Sequence, residues 1–236
     1  MTQSALPSIL AVTGLQAEAR IVAAPGVTAL AGGGDAARLA AMLEAHLQQG
    51  ARAVISFGIA GGLAPGVSPG TLVVADAVRS GDDHWNTDAS WRSALRAALP
   101  RSIAGPILGV DVPVADAAGK ARMHRETGAV AVDMESHIAA RVAARHGVPF
   151  AVLRVVADPA ERSLPGAALV GMRHDGRTDV VAVLRALARR PSELPGLIRT
   201  GLDAQAAFRA LKACRAALDA DLGFAEPIKP GSSLAP

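Results

Sequence analysis

The 236 residues contain no tyrosine, only 3% aromatics and one cysteine, Cys214. A single thiol excludes an intrachain disulfide framework and a cysteine-rich metal site, and it fits a reducing compartment. With so few rings, a chain that is 50% hydrophobic must build its core from Ala, Val, Leu and Ile. No apolar run approaches the roughly 20 residues of a membrane span. No basic segment precedes an apolar one at the start, since the first arginine is Arg20, beyond the first apolar run. The expected location is therefore the cytoplasm, at most peripheral to the inner membrane. None of His46, His84, His124, His137, His146 and His174 pairs with another histidine or with the cysteine at metal-ligand spacing. Neither a metal nor an organic cofactor is expected. A net charge of +3 is too small to imply nucleic acid.

What the chain does have is 24 Gly and 15 Pro, enough for many tight turns between short elements. Apolar runs at 8–12, 21–24, 27–30, 53–57, 71–78, 107–110, 129–132 and 150–156 read as strands. Several are continuous rather than alternating, as in sheets covered on both faces. Helical patterns at 35–49, 88–99, 116–126, 135–146 and 178–190 lie between and after them. Asp35, Asp88 and Asp116 stand where N-caps belong, and Gly50 and Gly147 where helices should stop. The alternation predicts a three-layer α/β/α fold with a central mixed sheet. After Arg190, Pro191 and Pro195 break the pattern. A helix is then expected over 202–222, with Phe208, Leu211, Cys214, Leu218 and Leu222 on one face. The expected organisation is a catalytic domain over 1–190, a helical extension over 191–226 packed on it, and a flexible Pro/Gly/Ser-rich tail over 227–236. Between Arg185 and Arg215, seven basic residues against two acidic ones give +5. A basic segment with an amphipathic helix makes membrane-surface contact an expectation, beside plain packing of that helix on the domain or on a second subunit.

Three carboxylates each follow an apolar run: Glu18 after 9–12, Glu135 after 129–132 and Asp158 after 150–157. Open α/β sheets bind ligands at the carboxyl ends of their strands, so one shared cleft is expected. Taken singly, each has a plainer role. Glu18 is a surface charge, Glu135 a first-turn residue favouring the helix dipole, and Asp158 a turn residue before Pro159. Gly58-Ile59-Ala60-Gly61-Gly62 follows a further apolar run. It reads as a loop whose backbone N–H groups meet an anion or an oxygen-rich ligand, or as a tight turn. Gly66-Val67-Ser68-Pro69-Gly70 matches G-x-S-x-G, but Pro69 and a strand follow where a nucleophile elbow needs a helix, so it reads as a turn. Asp82-Asp83-His84 reads as solvated loop charge, and Gly32-Gly33-Gly34-Asp35 as a loop ending in an N-cap.

At the glycine run, the Met134-Glu135 pair and the late Asp158, in that order, the chain resembles the purine nucleoside phosphorylase and methylthioadenosine/S-adenosylhomocysteine nucleosidase superfamily. The resemblance covers roughly residues 8 to 185. The stretches 131–136, 155–160, 169–172 and 175–177 look like the hopanoid-associated nucleoside phosphorylase branch, which is thought to remove adenine from adenosylhopane in hopanoid synthesis. The resemblance implies cleavage of an N-glycosidic bond. It makes Asp158 the acid that protonates purine N7 and Glu135 the acceptor for the ribose hydroxyls. Met134 would pack on the ribose, and Glu18 would position or deprotonate water. Gly58, Ile59, Ala60 and Gly61 would line the ribose or nucleophile site. It implies a nucleoside or nucleoside-lipid substrate, a homo-oligomer, and inorganic phosphate as a candidate co-substrate. Methylthioadenosine, S-adenosylhomocysteine or futalosine cleavage is the alternative within enzymes, and a silent nucleoside-binding protein the alternative outside them. The chain departs from the family at Ala157 and Ile59, where serine is usual. It also departs at 56–57, where phosphorolytic relatives bring an arginine; Arg52 and Arg20 are the nearby cations.

Overall fold

The structure is a computed structural model that describes residues 9–169 and 180–225. Nine strands form one mixed sheet: β1 (Ile9–Thr13), β2 (Val27–Ala31), β3 (Ala53–Gly62), β4 (Leu72–Val74), β5 (Ala77–Ser80), β6 (Asp83–Asn86), β7 (Ile107–Gly109), β8 (Ala131–Asp133) and β9 (Phe150–Asp158). Their order is β2-β1-β3-β8-β7-β5-β6, with β9 beside β3 and β4 beside β9. β3 is the hub. It pairs in parallel with β1 and along most of its length with β9, then shifts register at Ala60/Gly61 and pairs antiparallel with β8 through Gly61 and Gly62. That irregularity lets one strand serve two parts of the sheet, and it gathers the ends of β1, β3, β8 and β9 in one place.

Period-two alternation explains the three layers. In β1, Leu10 and Val12 point into one core cluster while Ile9 and Ala11 point into another. The first cluster is closed by α2 (Ala36–Gln48) through Leu39, Leu43 and Leu47, and by α5 (Ser136–His146) through Ile138, Ala139 and Val142. The second is closed by α1 (Gln16–Val22) through Val22, by α3 (Ala89–Ala98) through Trp91 and Leu95, and by α8 (Leu194–Ala217) through Ala207, Leu211 and Cys214. Two of the few aromatic rings meet at one joint: Trp91 packs tilted against Phe224 with centroids 4.8 Å apart and donates through Nε1 to the Leu222 carbonyl at 2.8 Å. Asp35, Asp88 and Asp116 cap α2, α3 and α4 (Ala117–Thr127), accepting from Arg38 N, Trp91 N and Gly119 N. Gly147 ends α5 in the left-handed conformation.

Several expectations change. Residues 21–24 are not a strand. Ile21 and Val22 close α1, whose Glu18, Ala19 and Val22 face inward, and a four-residue apolar run cannot separate helix from strand by period. The run 71–78 is two strands, β4 and β5. Asp83 and His84 lie not in a loop but in β6, hairpin-paired with β5. The glycine run 58–62 is the end of β3 rather than a loop. α8 begins at Leu194, eight residues before the expected start, with a proline in its first turn where no N–H donor is needed. Phe208, Leu211, Cys214, Leu218 and Leu222 belong to the core cluster around α1, α3 and α8, so this apolar face is covered by the protein itself. Two further elements precede α8: α6 (Gly166–Leu169) and α7 (Val180–Arg189). The stretch 170–177 quoted for the family branch, the start of the expected 178–190 helix and the tail 227–236 lie outside the described residues. No helix among the described residues is long and apolar enough to cross a membrane.

Candidate active site

A cavity of about 320 Å³ opens where these strand ends meet. Glu18, Glu135, Met134 and Asp158 all line it, together with Ile59, Ala60 and Gly61 of β3 and Gly33 and Gly34 after β2. Gly58 lies beneath this wall. An added Cβ there would stand 2.7 Å from Glu18 Oε1 and 2.9 Å from Arg154 Nη1, and its φ is +152°, so only glycine fits. At Gly14 an added Cβ would stand 3.0 Å from Glu135 Oε1, a tight contact that would press on that side chain.

Glu18 is no surface charge; it is 1% exposed. Its Oε1 accepts from Ile59 N at 2.7 Å and its Oε2 from Leu15 N at 2.7 Å. The glycine run does cradle an anion, and the anion is this protein's own carboxylate. Burial drives the Glu18 pKa upward, against the opposing pull of Arg154 and the backbone donors.

Glu135 stands at the N-cap position of α5, but its side chain accepts no capping hydrogen bond. Asp133 performs that role, its Oδ1 accepting from Ser136 N at 2.9 Å and Glu135 N at 3.2 Å. Glu135 is thereby left to face the cavity. Burial raises its pKa to about 7, with Arg154 lowering it and the charges of Asp133 and Glu18 adding to the rise.

Arg154, which the sequence reading passed over, organises this end of the site. It is fully buried in β9, on the face between Val152 and Val156. Its Nε lies 2.7 Å from Asp133 Oδ2. Nη2 donates to Ser56 Oγ at 2.6 Å and to Glu135 Oε2 at 3.4 Å, and Nη1 to the Ile59 carbonyl at 3.2 Å. Ser56 in turn shares a 2.8 Å hydrogen bond with Ser136. A planar fork with five donors suits such a set of acceptors. The sequence signal was one arginine inside an otherwise apolar strand, a position that demands buried partners.

Asp158 ends β9 and faces the cavity from the other side, with an ion pair from its Oδ2 to the fully buried Lys120 of α4. Burial raises its pKa and Lys120 opposes the rise. Ala157 beside it carries no hydroxyl, so Lys120 supplies the polar contact. Arg20 and Arg52 are exposed, and no lysine or arginine among the described residues lines the cavity. Ser68 sits in the turn between β3 and β4, where Thr71 N donates to its carbonyl, and it does not reach the cavity. Among the described residues no three or more His, Cys, Asp or Glu side chains group as metal ligands. Beyond the carboxylates the wall is mostly aliphatic, with Val110, Pro113, Val114, Leu164, Ala168 and Ala204, and Thr200 as its one hydroxyl among the described lining residues.

Comparison with known proteins agrees with this layout. The family model of the Phosphorylase superfamily matches residues 10–192. Futalosine hydrolase of Streptomyces coelicolor is 33% identical over 150 residues, covering 56% of this chain and 64% of that protein. The 5′-methylthioadenosine/S-adenosylhomocysteine nucleosidase of Treponema pallidum is 40% identical over 62 residues, 26% of this chain and 23% of that one. This chain therefore spans less than two thirds of either relative. Among solved structures, the Helicobacter pylori 5′-methylthioadenosine/S-adenosylhomocysteine nucleosidase, in complex with a pyrrolopyrimidine–pyrrolidinol compound, superposes with a TM-score of 0.62 at 17% identity. The match covers 90% of this chain and 99% of that one, a likeness of fold.

Proposed function

The chain belongs to the Phosphorylase superfamily, and from that premise we propose that it hydrolyses the N-ribosidic bond of a purine nucleoside, releasing the free base. The relatives' names, a futalosine hydrolase and a methylthioadenosine/S-adenosylhomocysteine nucleosidase, support this class of substrate. The observation that carries the choice of water over phosphate is the occupied anion cradle. Ile59 N and Leu15 N donate to Glu18, Arg154 is committed to Ser56, Asp133 and Glu135, and three carboxyl groups crowd one guanidinium. An incoming phosphate would meet carboxyl groups and no lysine or arginine among the described lining residues. A water molecule held by Glu18 meets a general base instead.

In this mechanism Glu135 accepts hydrogen bonds from the ribose 2′- and 3′-hydroxyls and Met134 packs on the sugar. Positive charge builds on the ribose as the bond from C1′ to N9 breaks. Asp158 gives its proton to N7, so the base leaves neutral. Water adds to C1′ and its proton passes to Glu18; solvent later restores both carboxyl groups. Arg154 keeps Glu135 and Asp133 in place and compensates the buried charge. Incubation with 5′-methylthioadenosine, S-adenosylhomocysteine, futalosine and adenosylhopane, each with and without phosphate, tests the reading. Phosphate-independent release of base with a free reducing sugar is expected. A ribose 1-phosphate product would replace hydrolysis with phosphorolysis, and no release from any of the four would refute the reading.

We further propose that the 5′ substituent is apolar, because the far wall of the cavity is mostly aliphatic. Adenosylhopane is the largest such substrate. A cavity of about 320 Å³ takes a nucleoside and leaves a polycyclic hydrocarbon at its mouth, so that substrate would be met at a bilayer. The outward side of α8 presents Leu202, 61% exposed, together with exposed Arg199, Arg209 and Lys212. Sedimentation with anionic but not neutral vesicles, weakened when Arg199, Arg209 and Lys212 become Gln, is the expected result. No sedimentation at low salt would remove the membrane.

A further inference from the structure

Lys120 lies in α4, far in sequence from the carboxylates, and has no solvent exposure at all. An ammonium has three N–H donors and no acceptor. Here all three are used: Nζ donates to Asp158 Oδ2, to the Pro159 carbonyl at 3.0 Å and to the Arg162 carbonyl at 3.0 Å. Three acceptors around one nitrogen match the three donors of an ammonium. Lys120 does not line the cavity, whereas Asp158 does. The lysine thus holds the carboxyl from behind and, through the two carbonyls, fastens the turn that follows it.

We propose that Lys120 is the positioning residue of the acid: it fixes one carboxyl oxygen of Asp158, leaves the other to the substrate, and stabilises the carboxylate that forms as the proton departs. The inference rests on the reading of Asp158 as general acid. Two opposing demands meet there. Burial favours the protonated form of Asp158, and a cation in contact makes that proton easier to give up. A donor is most effective when its pKa suits the working pH, and burial and Lys120 act on Asp158 in opposite directions. The other charged groups around Asp158 are Asp203 of α8 and Arg162 of the following turn, which pair with each other at 2.6 Å. With that pair largely cancelling, Lys120 is the dominant charge on the acid.

The test uses the whole enzyme with 5′-methylthioadenosine, or whichever nucleoside of the panel it cleaves fastest. Lys120→Gln removes the charge and keeps two donors for the carbonyls. Activity that needs a protonated Asp158 falls as pH rises through its pKa. The alkaline limb of the kcat profile should therefore move up by at least one pH unit in Lys120→Gln, with kcat at its maximum down ~10- to 100-fold and KM nearly unchanged. Lys120→Arg, which keeps the charge, should return the limb to its wild-type position. In an Asp158→Asn background, Lys120→Gln should cost almost nothing further. A merely structural lysine would lower activity at every pH and leave the limb where it was. An unmoved limb in Lys120→Gln, or a loss that adds in full to that of Asp158→Asn, overturns the proposal. Assays run at a temperature where circular dichroism shows the Gln variant folded. A wild type with no activity, or one indifferent to Asp158→Asn, instead removes the reading of the acid on which the inference rests.

Discussion

The two ends of the cavity solve the burial of carboxyl groups in opposite ways. At one end Glu18, Asp133 and Glu135 surround a single Arg154, so carboxyl groups outnumber the cation and the charged form of Glu135 is disfavoured twice, by desolvation and by its acidic neighbours. At the other end Asp158 has one cation to itself. The first arrangement favours groups that take up protons; in the second, burial favours the protonated acid and its lysine eases the proton's departure. Burial raises the carboxyl groups at both ends, so what distinguishes base from acid is the partner: an arginine shared by three carboxyl groups, or a lysine held by one. The difference is built by the sheet. β9 carries Arg154 on an inward face and Asp158 at its tip, so one strand serves both ends.

The largest expected effect comes from removing the proton at the acid end. Asp158→Asn keeps size and shape and should lower kcat on an adenine nucleoside by about 10²–10⁴ while the melting temperature stays close to wild type. Glu18→Gln should do comparable damage at the base end, with or without phosphate. Near-normal turnover in either variant would erase the division of labour.

Removing the shared cation should hurt structure more than chemistry. Arg154→Met leaves Asp133 and Glu135 buried without their partner, and breaking a buried pair in this way costs roughly 3–5 kcal/mol. Chemical denaturation is the measurement. A loss under about 1 kcal/mol would mean that water, not the guanidinium, solvates the carboxylates.

Much of this division could not be read from the sequence. The three layers could, because runs such as 53–57 and 150–156 are continuously apolar and Asp35, Asp88 and Asp116 announce helix starts locally. Glu18, Glu135 and Asp158 could, because each stands just past a strand. Their partners were hidden for a physical reason. Arg154 sits inside a strand whose neighbours are all apolar, and only the fold shows that Ser56, Asp133 and Glu135 wait opposite it. Lys120 meets Asp158 across 38 residues of sequence and belongs to a helix whose other residues read as surface. A run of glycines that suggested a ligand's anion was serving an internal one, since sequence carries no sign of which anion reaches a backbone N–H.

A smaller effect separates Glu135 from its neighbours. A hydrogen bond to a charged acceptor contributes roughly 1.5–3 kcal/mol, so Glu135→Gln should lower kcat/KM for a ribonucleoside by about 10- to 150-fold. A 2′-deoxy analogue, with one hydroxyl fewer to offer, should lose much less. Equal losses on both would place Glu135 outside the sugar site.

The smallest effect is on stability, and its sign follows from burial. Glu135 has an ordinary value of 4.5 and is raised to about 7 in the folded protein. Below pH 4.5 both states hold the proton and the site costs nothing. Between 4.5 and about 7 the unfolded chain releases the proton while the folded one keeps it, so stability declines as pH rises. Above about 7 the folded protein carries a buried charge and the full penalty is present. Glu135→Gln never ionises and escapes that penalty, although it also gives up the charge that faces Arg154. Its melting temperature relative to wild type should therefore be higher at pH 8 than at pH 5, by a few degrees for a chain of this length. A difference that is flat across this range, or that favours wild type more at pH 8, would show that Arg154 already compensates Glu135 in full, and the contrast between the two ends of the cavity would reduce to geometry.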